Sequence, residues 1–393
     1  MKILHTSDWH LGKKLEGLKR IEEQKKFIDT LEMIVREEEP KVILIAGDIF
    51  DTPNPSSEAE SLFFDSLKKL SGSGKRAIVI IPGNHDSPER LSACKNLARD
   101  FGVIIYEKPF EKKEVGKYGD FHLIKSSEGG IILDIDGEEI FIYSLPYPSE
   151  LSLNEEFDEE NSYSKRIGEI LKKGVEGVPC DIPKIIMTHI FITGSEGDGD
   201  EKAIELGGAR GVALEDLPEV DYIALGHIHR PIKYTNKRAY YSGSPIEYHL
   251  TENKFAKKVF IADVNGGLST EVKEIVLENY KPIKNYEVNG IDEGVAFSQK
   301  MMDSQEWIYL KIHTDTFIPN HLLKEIRKNK NILEIIPVTK NGEVTLDSVV
   351  DYGDLDIKNA FVEFYKSFDE GEPQEETINL FMKFLGDDES ATD

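Results

Sequence analysis

Residues 42–51 read VILIAGDIFD, and the change at Gly47 from an aliphatic run to acidic residues decides the fold. Five consecutive aliphatic residues make a strand buried on both faces. Such a strand delivers Asp48 and Asp51 to its carboxyl end, where layered α/β proteins gather their ligands. The same design recurs four times. Residues 2–6 run into Ser7-Asp8-Trp9-His10, and 77–81 into Pro82-Gly83-Asn84-His85-Asp86. Residues 184–187 run into Thr188-His189, and 222–225 into Gly226-His227-Ile228-His229. Runs at 140–144 and 258–264 predict two more strands.

Between the runs lie helical patterns. Residues 20–38 carry Ile21, Phe27, Ile28, Leu31, Ile34 and Val35 at helical spacing. Residues 56–70 follow a Pro-Asn-Pro turn, with Ser56 or Ser57 as N-cap. Residues 88–101 open with Ser87 as cap and Pro88 at the first helical position. Near residue 280 the composition shifts. Strand, helix and strand are expected at 307–312, 319–328 and 332–338. The organisation predicted is a catalytic domain at 1–279, a small α/β capping domain at 280–340 and an acidic helical tail at 341–393. The tail carries two apolar stripes, Ile357, Phe361, Phe364, Tyr365 and Phe368, then Ile378, Phe381, Met382 and Leu385.

The chain has 393 residues and a formal charge of −25, from 48 Lys and Arg against 73 Asp and Glu. That balance argues against a simple phosphate-binding module, whose binding face is basic. The excess is concentrated, because residues 343–393 hold 15 Asp and Glu against 3 Lys and Arg. The rest can carry a local basic groove. Two cysteines, Cys94 and Cys180, make neither a disulfide framework nor a CxxC metal site, which fits a reducing cytoplasm. No run approaches the roughly 20 apolar residues of a membrane span, and Asp8 and His10 interrupt the only apolar stretch that would suit a leader. A cytoplasmic location is expected.

The residues at the strand ends mix carboxylate and amide oxygen with imidazole. That mixture suits Mn, Fe or Zn better than Ca or Mg. Seven candidates, Asp8, His10, Asp48, Asn84, His189, His227 and His229, exceed one tetrahedral ion. They suit two ions roughly 3.5–4 Å apart sharing a bridging carboxylate, a device that clamps a phosphate and activates water. A single DxH or HxH is more often surface or core than ligand; the ordered set is what carries the reading.

This order of motifs resembles the calcineurin-like metallophosphoesterase superfamily. SDWHLGK at 7–13, AGDIFDTPNPS at 46–56, PGNHDSPERL at 82–91, ALGHIHRP at 224–231 and YSGSPIEY at 241–248 favour its DNA-nuclease branch. The resemblance is clear over 1–265 and looser beyond 280. It implies an α/β protein of the α+β kind, with a β-sandwich flanked by helices. Asp8, His10 and His229 would hold one ion, Asn84, His189 and His227 the other, and Asp48 would bridge them. His85 would contact the scissile phosphate and protonate the leaving oxygen, with the Asp51 carboxylate hydrogen-bonded to it; Asp51 as a mere helix cap is the alternative. The family further implies a pair of Mn²⁺ ions as cofactor, DNA as substrate, a homodimer within a heterotetramer, and an ATPase subunit bound by the tail helices.

Lys13, Lys14, Lys19 and Arg20 read either as a phosphate-gripping loop or as a solvated helix start. Arg230 follows the HxH pair and is a candidate phosphate contact. Residues 242–245 line a substrate groove or form a tight turn. Trp9 is expected to wall the site. The stripe Leu62, Phe63 and Leu67 is core or a dimer interface. A phosphodiesterase or phosphatase acting on small molecules is the competing function.

Overall fold

The computed structural model describes residues 1–339 apart from 158–162, 194–210, 268 and 317, and beyond them 342–343, 361, 373 and 377–378. The described residues divide into two units, the first of Met1–Lys284 with Asp303–Ile308, the second of Asn285–Met302 with Tyr309 onward.

In the first unit, five strands carry the chemistry: β1 (Lys2–Thr6), β2 (Val42–Ala46), β3 (Ala77–Ile81), β4 (Lys184–His189) and β5 (Tyr222–Gly226). They belong to two sheets. The six-stranded sheet runs Thr270–Val276, Lys258–Val264, β1, β2, β3, Val103–Ile105. In it β1, β2 and β3 are parallel, with Leu4 opposite Ile43 and Leu44 opposite Val79. The eight-stranded sheet runs Ile232–Tyr234, Ala239–Tyr241, β5, β4, Glu138–Leu145, Gly130–Ile135, Phe121–Ser126, Gly116–Tyr118. There Glu138–Leu145, β4 and β5 are parallel.

The two-residue period of a strand sorts side chains into layers. Along β2, Val42, Leu44 and Ala46 enter the core between the sheets, meeting Leu133, Ile142, Ile185 and Met187. Ile43 and Ile45 face the other way, against Phe27 and Leu31 of α1 (Ile21–Glu38) and Phe63 and Leu67 of α2 (Ser57–Leu70). Beneath the second sheet, Ile186 and Ile223 pack on Ile167, Ile170 and Leu171 of the helix Tyr163–Val175. The result is a helix–sheet–sheet–helix sandwich with three apolar interfaces. Each fully buried Leu, Ile or Phe contributes roughly 1.5–3 kcal/mol, so these layers hold the strand ends rigidly.

Ser56 caps α2 through Ala59 N–H at 3.3 Å, as the motif predicts. The helix expected over 88–101 is instead broken: Pro88–Leu91, a 3₁₀ turn at Ser92–Cys94, then Lys95–Asp100. Phe63 and Leu67 of the apolar stripe are core, while Leu62 packs at its margin. The basic residues after Gly12 form a two-stranded hairpin, Lys14–Leu15 against Leu18–Lys19, before α1 begins.

The second unit contains the helices Ile291–Lys300 and Asn320–Ile326 and all but the first two residues of each of the strands Ile283–Asn289 and Trp307–His313, whose sheet runs Ile283–Asn289, Trp307–His313, Ile332–Thr339, Gly342–Glu343. Its helices are joined by Ser298 Oγ donating to the Ile326 carbonyl at 2.8 Å. The expected tail stripes lie almost wholly outside the described residues. Among the described residues no helix is long and apolar enough to cross a membrane.

Candidate metal centre

All five site-bearing strands end at one place, where the two sheets pinch together. A Cβ at Gly226 would lie 1.8 Å from the Ala46 carbonyl, and one at Gly47 would lie 2.2 Å from His189 Nδ1. At Gly226 the requirement is thus space rather than a sharp turn; Gly47, at φ +92°, has both. The loops leaving β1 and β2 are laced together, with Asp8 N–H donating to Gly47 O at 3.0 Å and His10 N–H to Asp48 O at 3.0 Å.

Asp8, His10, Asp48 and His227 all have positive φ, at 53°, 44°, 50° and 107°. A non-glycine residue held there costs of order 1–3 kcal/mol, and such strain clusters at functional sites. In the left-handed turns Asp8 and His10 both join the cluster, while Trp9 leaves it. The expectation that Trp9 walls the site is incorrect. Its ring is fully buried in the core against Phe27, at 5.5 Å between centroids, because the apolar layer under α1 is where so large a ring loses most water contact.

Donor atoms of Asp8, His10 and His229 lie within 4.8 Å of one another, as do those of Asp8, Asp48 and His189. His10 Nε2 and His229 Nε2 are 3.0 Å apart. Asn84 Oδ1 lies 3.0 Å from His189 Nε2 and 3.1 Å from His227 Nδ1. Asp48 Oδ2 sits between the groups, 3.3 Å from His189 Nε2 and 3.6 Å from His10 Nε2. All seven sequence candidates are therefore brought to one spot.

The electrostatics fit a cation. His189 Nδ1 faces the Ala46 carbonyl at 2.9 Å, and a carbonyl only accepts, so the lone pair is at Nε2 when the ring is neutral. That lone pair meets two oxygens, Asn84 Oδ1 and Asp48 Oδ2. Positive charge is favoured at this spot: burial lowers the His189 pKa, but Asp48 and Asp8 outweigh it and raise it to about 9. Burial lowers His10 to about 4, against Asp51 and Asp48, and lowers His227 to about 3, His189 adding to it. Both are neutral, ligand-ready imidazoles at neutral pH. Burial lifts Asp8 to about 6, opposed by His189 and His229. For Asp48 burial acts upward too, but His189, His10 and His85 hold it well below the usual range. An imidazole, carboxylate and amide set of this kind suits borderline divalent metal chemistry.

His85 donates its backbone N–H to Asp48 Oδ1 at 3.0 Å, and its Nδ1 lies 2.9 Å from the main-chain oxygen of Asp51. The hydrogen bond expected from the Asp51 carboxylate is therefore made by its carbonyl. The carboxylate turns instead to Lys13 Nζ at 3.2 Å, with His10 Nδ1 at 3.6 Å. Lys13 is thereby placed beside the cluster. Arg20 is not a substrate contact. Its side chain is 1% exposed and forks onto Glu23 at 2.6 and 2.5 Å, and it donates to the Glu247 carbonyl at 2.7 Å. Although Arg20 backs onto the cavity beside Asp51, its guanidinium donors are spent on these buried partners. Arg230 is half-buried, 5.9 Å from the Phe255 ring. Beside Asp51 opens a cavity of about 480 Å³, with Lys14, Lys19, Asn54 and Ser56 among its walls.

Sequence reasoning gave no role to several residues that hold the site. Asp86, 7% exposed, accepts from Ile49 N–H at 3.1 Å, Phe50 N–H at 2.9 Å and Gly83 N–H at 2.9 Å, splinting the β2 and β3 loops together. Burial, then the charge of Asp48, raises its pKa to about 7. Gln24 donates to the His10 carbonyl at 2.8 Å. The Tyr147 ring lies 6.2 Å from His189 and 6.5 Å from His227. Asp86 was signalled by its place in the GNHD run; Gln24 and Tyr147 sit in stretches with no motif. Ser242 and Ser244 are fully buried. Ser242 Oγ is 2.8 Å from Ser7 Oγ, which donates to Asp8, so this turn supports the ligands rather than lining a groove.

Comparison with known proteins agrees with this geometry. The calcineurin-like phosphoesterase family matches residues 1–231. The chain is 36% identical over 396 residues to the SbcD subunit of the nuclease SbcCD of Bacillus subtilis strain 168, covering 98% of this chain and 97% of that protein. Among solved structures, TT1561 of Thermus thermophilus overlaps with a TM-score of 0.37 at 12% identity, over 69% of this chain and 97% of that one; an overlap so low adds no argument. The family match spans more than half the chain, and the relative spans nearly all of it. The chain belongs to the calcineurin-like phosphoesterase family, together with the SbcD protein of B. subtilis.

Proposed function

We propose that the chain is the nuclease subunit of an SbcCD-type DNA repair and recombination complex. It hydrolyses phosphodiesters as a 3′→5′ exonuclease on duplex ends and an endonuclease on single strands and hairpins. The observation that carries the reading is the convergence of five strand ends on Asp8, His10, Asp48, Asn84, His189, His227 and His229, in a chain that aligns end to end with a protein named as a nuclease subunit.

Asp8, His10 and His229 would hold one divalent ion, Asn84, His189 and His227 a second, with Asp48 shared; Mn²⁺ is the expected metal. When bound, such ions supply Lewis-acid polarisation of the phosphate and a water acidic enough to attack near neutral pH. The protein's own residues do the rest. Asp48 orients His85 through its backbone N–H. The Asp51 carbonyl holds the hydrogen on His85 Nδ1, so a ring that has taken up a second proton from solvent at Nε2 would pass that proton to the leaving 3′ oxygen and return to the neutral Nδ1–H form. Lys13 beside Asp51, and Lys14 and Lys19 at the adjoining cavity, provide local positive charge for the DNA backbone in an otherwise acidic chain.

Residues 280–340 act as a capping domain, and the tail at 341–393 docks on the ATPase subunit SbcC as amphipathic helices. The assembly is a homodimer within a heterotetramer, working in the cytoplasm at the nucleoid. Truncation after Val338 is expected to abolish association with SbcC while sparing metal-dependent chemistry.

The test is cleavage by the purified chain with Mn²⁺ or EDTA, on labelled hairpin and single-stranded DNA beside a cyclic nucleotide. Metal-dependent DNA cutting that disappears in Asn84→Ala supports the reading. Turnover of the cyclic nucleotide without DNA cutting replaces it with a small-molecule phosphodiesterase.

A further inference from the structure

One carboxylate near the cluster is neither a ligand candidate nor part of any motif. Glu252, fully buried, lies in the 3₁₀ turn Leu250–Lys254. Its Oε1 is 3.0 Å from His229 Nδ1. Its Oε2 accepts from Lys257 Nζ, from Ser244 Oγ at 3.1 Å and from Tyr248 N–H at 3.3 Å. Lys257, 4% exposed, also donates to Ser244 Oγ at 2.7 Å and to the His229 carbonyl at 3.2 Å. Glu252 and Lys257 therefore grip His229 at both its ring and its backbone.

We infer that Glu252 is a positioning residue for the metal centre, selecting the His229 tautomer that presents Nε2 to an ion, with Lys257 holding Glu252 in place. The inference rests on the metal reading above and assigns this pair a role within it.

The chemistry is direct. A carboxylate held by a lysine and two further donors can only accept, so the nitrogen facing it must carry the hydrogen. The lone pair of His229 is then fixed at Nε2, the atom 3.0 Å from His10 Nε2. Without Glu252 the neutral ring populates both tautomers and can rotate about its Cβ–Cγ bond. Partners of this kind raise ligand basicity, and their loss typically costs 10–100-fold in metal affinity.

A buried ion pair is also structural, so the test must separate the two roles. Replacing only one partner strands a buried charge and destabilises the fold; replacing both with neutral groups of similar size removes that penalty. Mn²⁺ titrations and thermal melts would be run on the full chain, on Glu252→Leu, and on Glu252→Leu combined with Lys257→Met, since leucine has no oxygen to accept from His229 Nδ1. The expected result is a lowered melting temperature in the single variant that recovers in the double variant, while affinity for one of two Mn²⁺ ions stays 10–100-fold weaker in both. Recovery of affinity together with the melting temperature, or wild-type affinity in the single variant, would overturn the positioning role. Failure of the wild-type chain to bind two ions would instead defeat the metal reading on which the inference depends.

Discussion

Replacing Asp86 by alanine removes the two carboxylate oxygens that serve three buried backbone donors, Ile49, Phe50 and Gly83 N–H. A buried donor left unsatisfied costs about 1–3 kcal/mol. Three of them put the loss at about 3 kcal/mol even at the low end of that range. The asparagine variant behaves differently. Oδ2 serves Ile49 and Gly83, and Oδ1 serves Phe50 alone. An amide oxygen placed at Oδ2 keeps two bonds and loses one, for about 1 kcal/mol. Since the splinted loops carry Asp48, Asn84 and His85, the damage is local before it is global. Hydrogen exchange resolves this, because local opening free energies set amide protection. Peptides covering residues 47–51 and 82–86 should lose protection strongly in Asp86→Ala and about a third as much, in free energy, in Asp86→Asn. Mn²⁺ affinity should fall in the same order. Equal effects in the two variants, or unchanged protection in Asp86→Ala, would refute the splint.

Three further outcomes are expected. His5, fully buried with its pKa lowered by burial to about 3, is neutral when folded but protonates near pH 6.5 when unfolded. Its contribution is therefore complete above pH 6.5 and declines as pH falls toward 3, with a slope approaching about 1.4 kcal/mol per pH unit; His5→Gln should flatten that limb in denaturation measured at several pH values. Arg20→Ala should lower stability by about 3–5 kcal/mol, because it strands the buried Glu23 carboxylate, and an unchanged melting curve with a raised KM for DNA would restore Arg20 as a substrate contact. His85→Ala should retain both Mn²⁺ ions and lose cleavage by about 10²–10⁴-fold, whereas loss of the ions in a metal titration would make His85 part of the ligand set.

Strand ends were legible in the sequence because a buried parallel strand is a short aliphatic run, and polar residues after it stand out against that background. VILIA followed by Gly47-Asp48 is read directly, and so are the runs before Asn84, His189 and His227. Strands that sit at edges or alternate polarity gave no such contrast. Phe121–Ser126 places His122, Ile124 and Lys125 outward, and Gly116–Tyr118 is three residues long. Convergence of the donors follows from parallel strands ending on one edge; which atom of a side chain is used does not. Asp51 illustrates this, since its carbonyl and its carboxylate serve different histidines. Arg20 looked like part of a basic run, and only the packing of α1 reveals it as buried. Glu252 and Lys257 sit in a polar stretch indistinguishable from surface, because a buried ion pair is defined by partners distant in sequence rather than by spacing.

The central claim is that these strand ends build one centre for two neighbouring metal ions with Asp48 between them. Titration of the full chain with Mn²⁺, followed by electron paramagnetic resonance, tests it most directly. The account predicts two ions per chain at saturation with the spectrum of a coupled pair, reduced to uncoupled or single-ion signals in Asp48→Asn. One ion per chain with an isolated six-line spectrum, unchanged by Asp48→Asn, would contradict it.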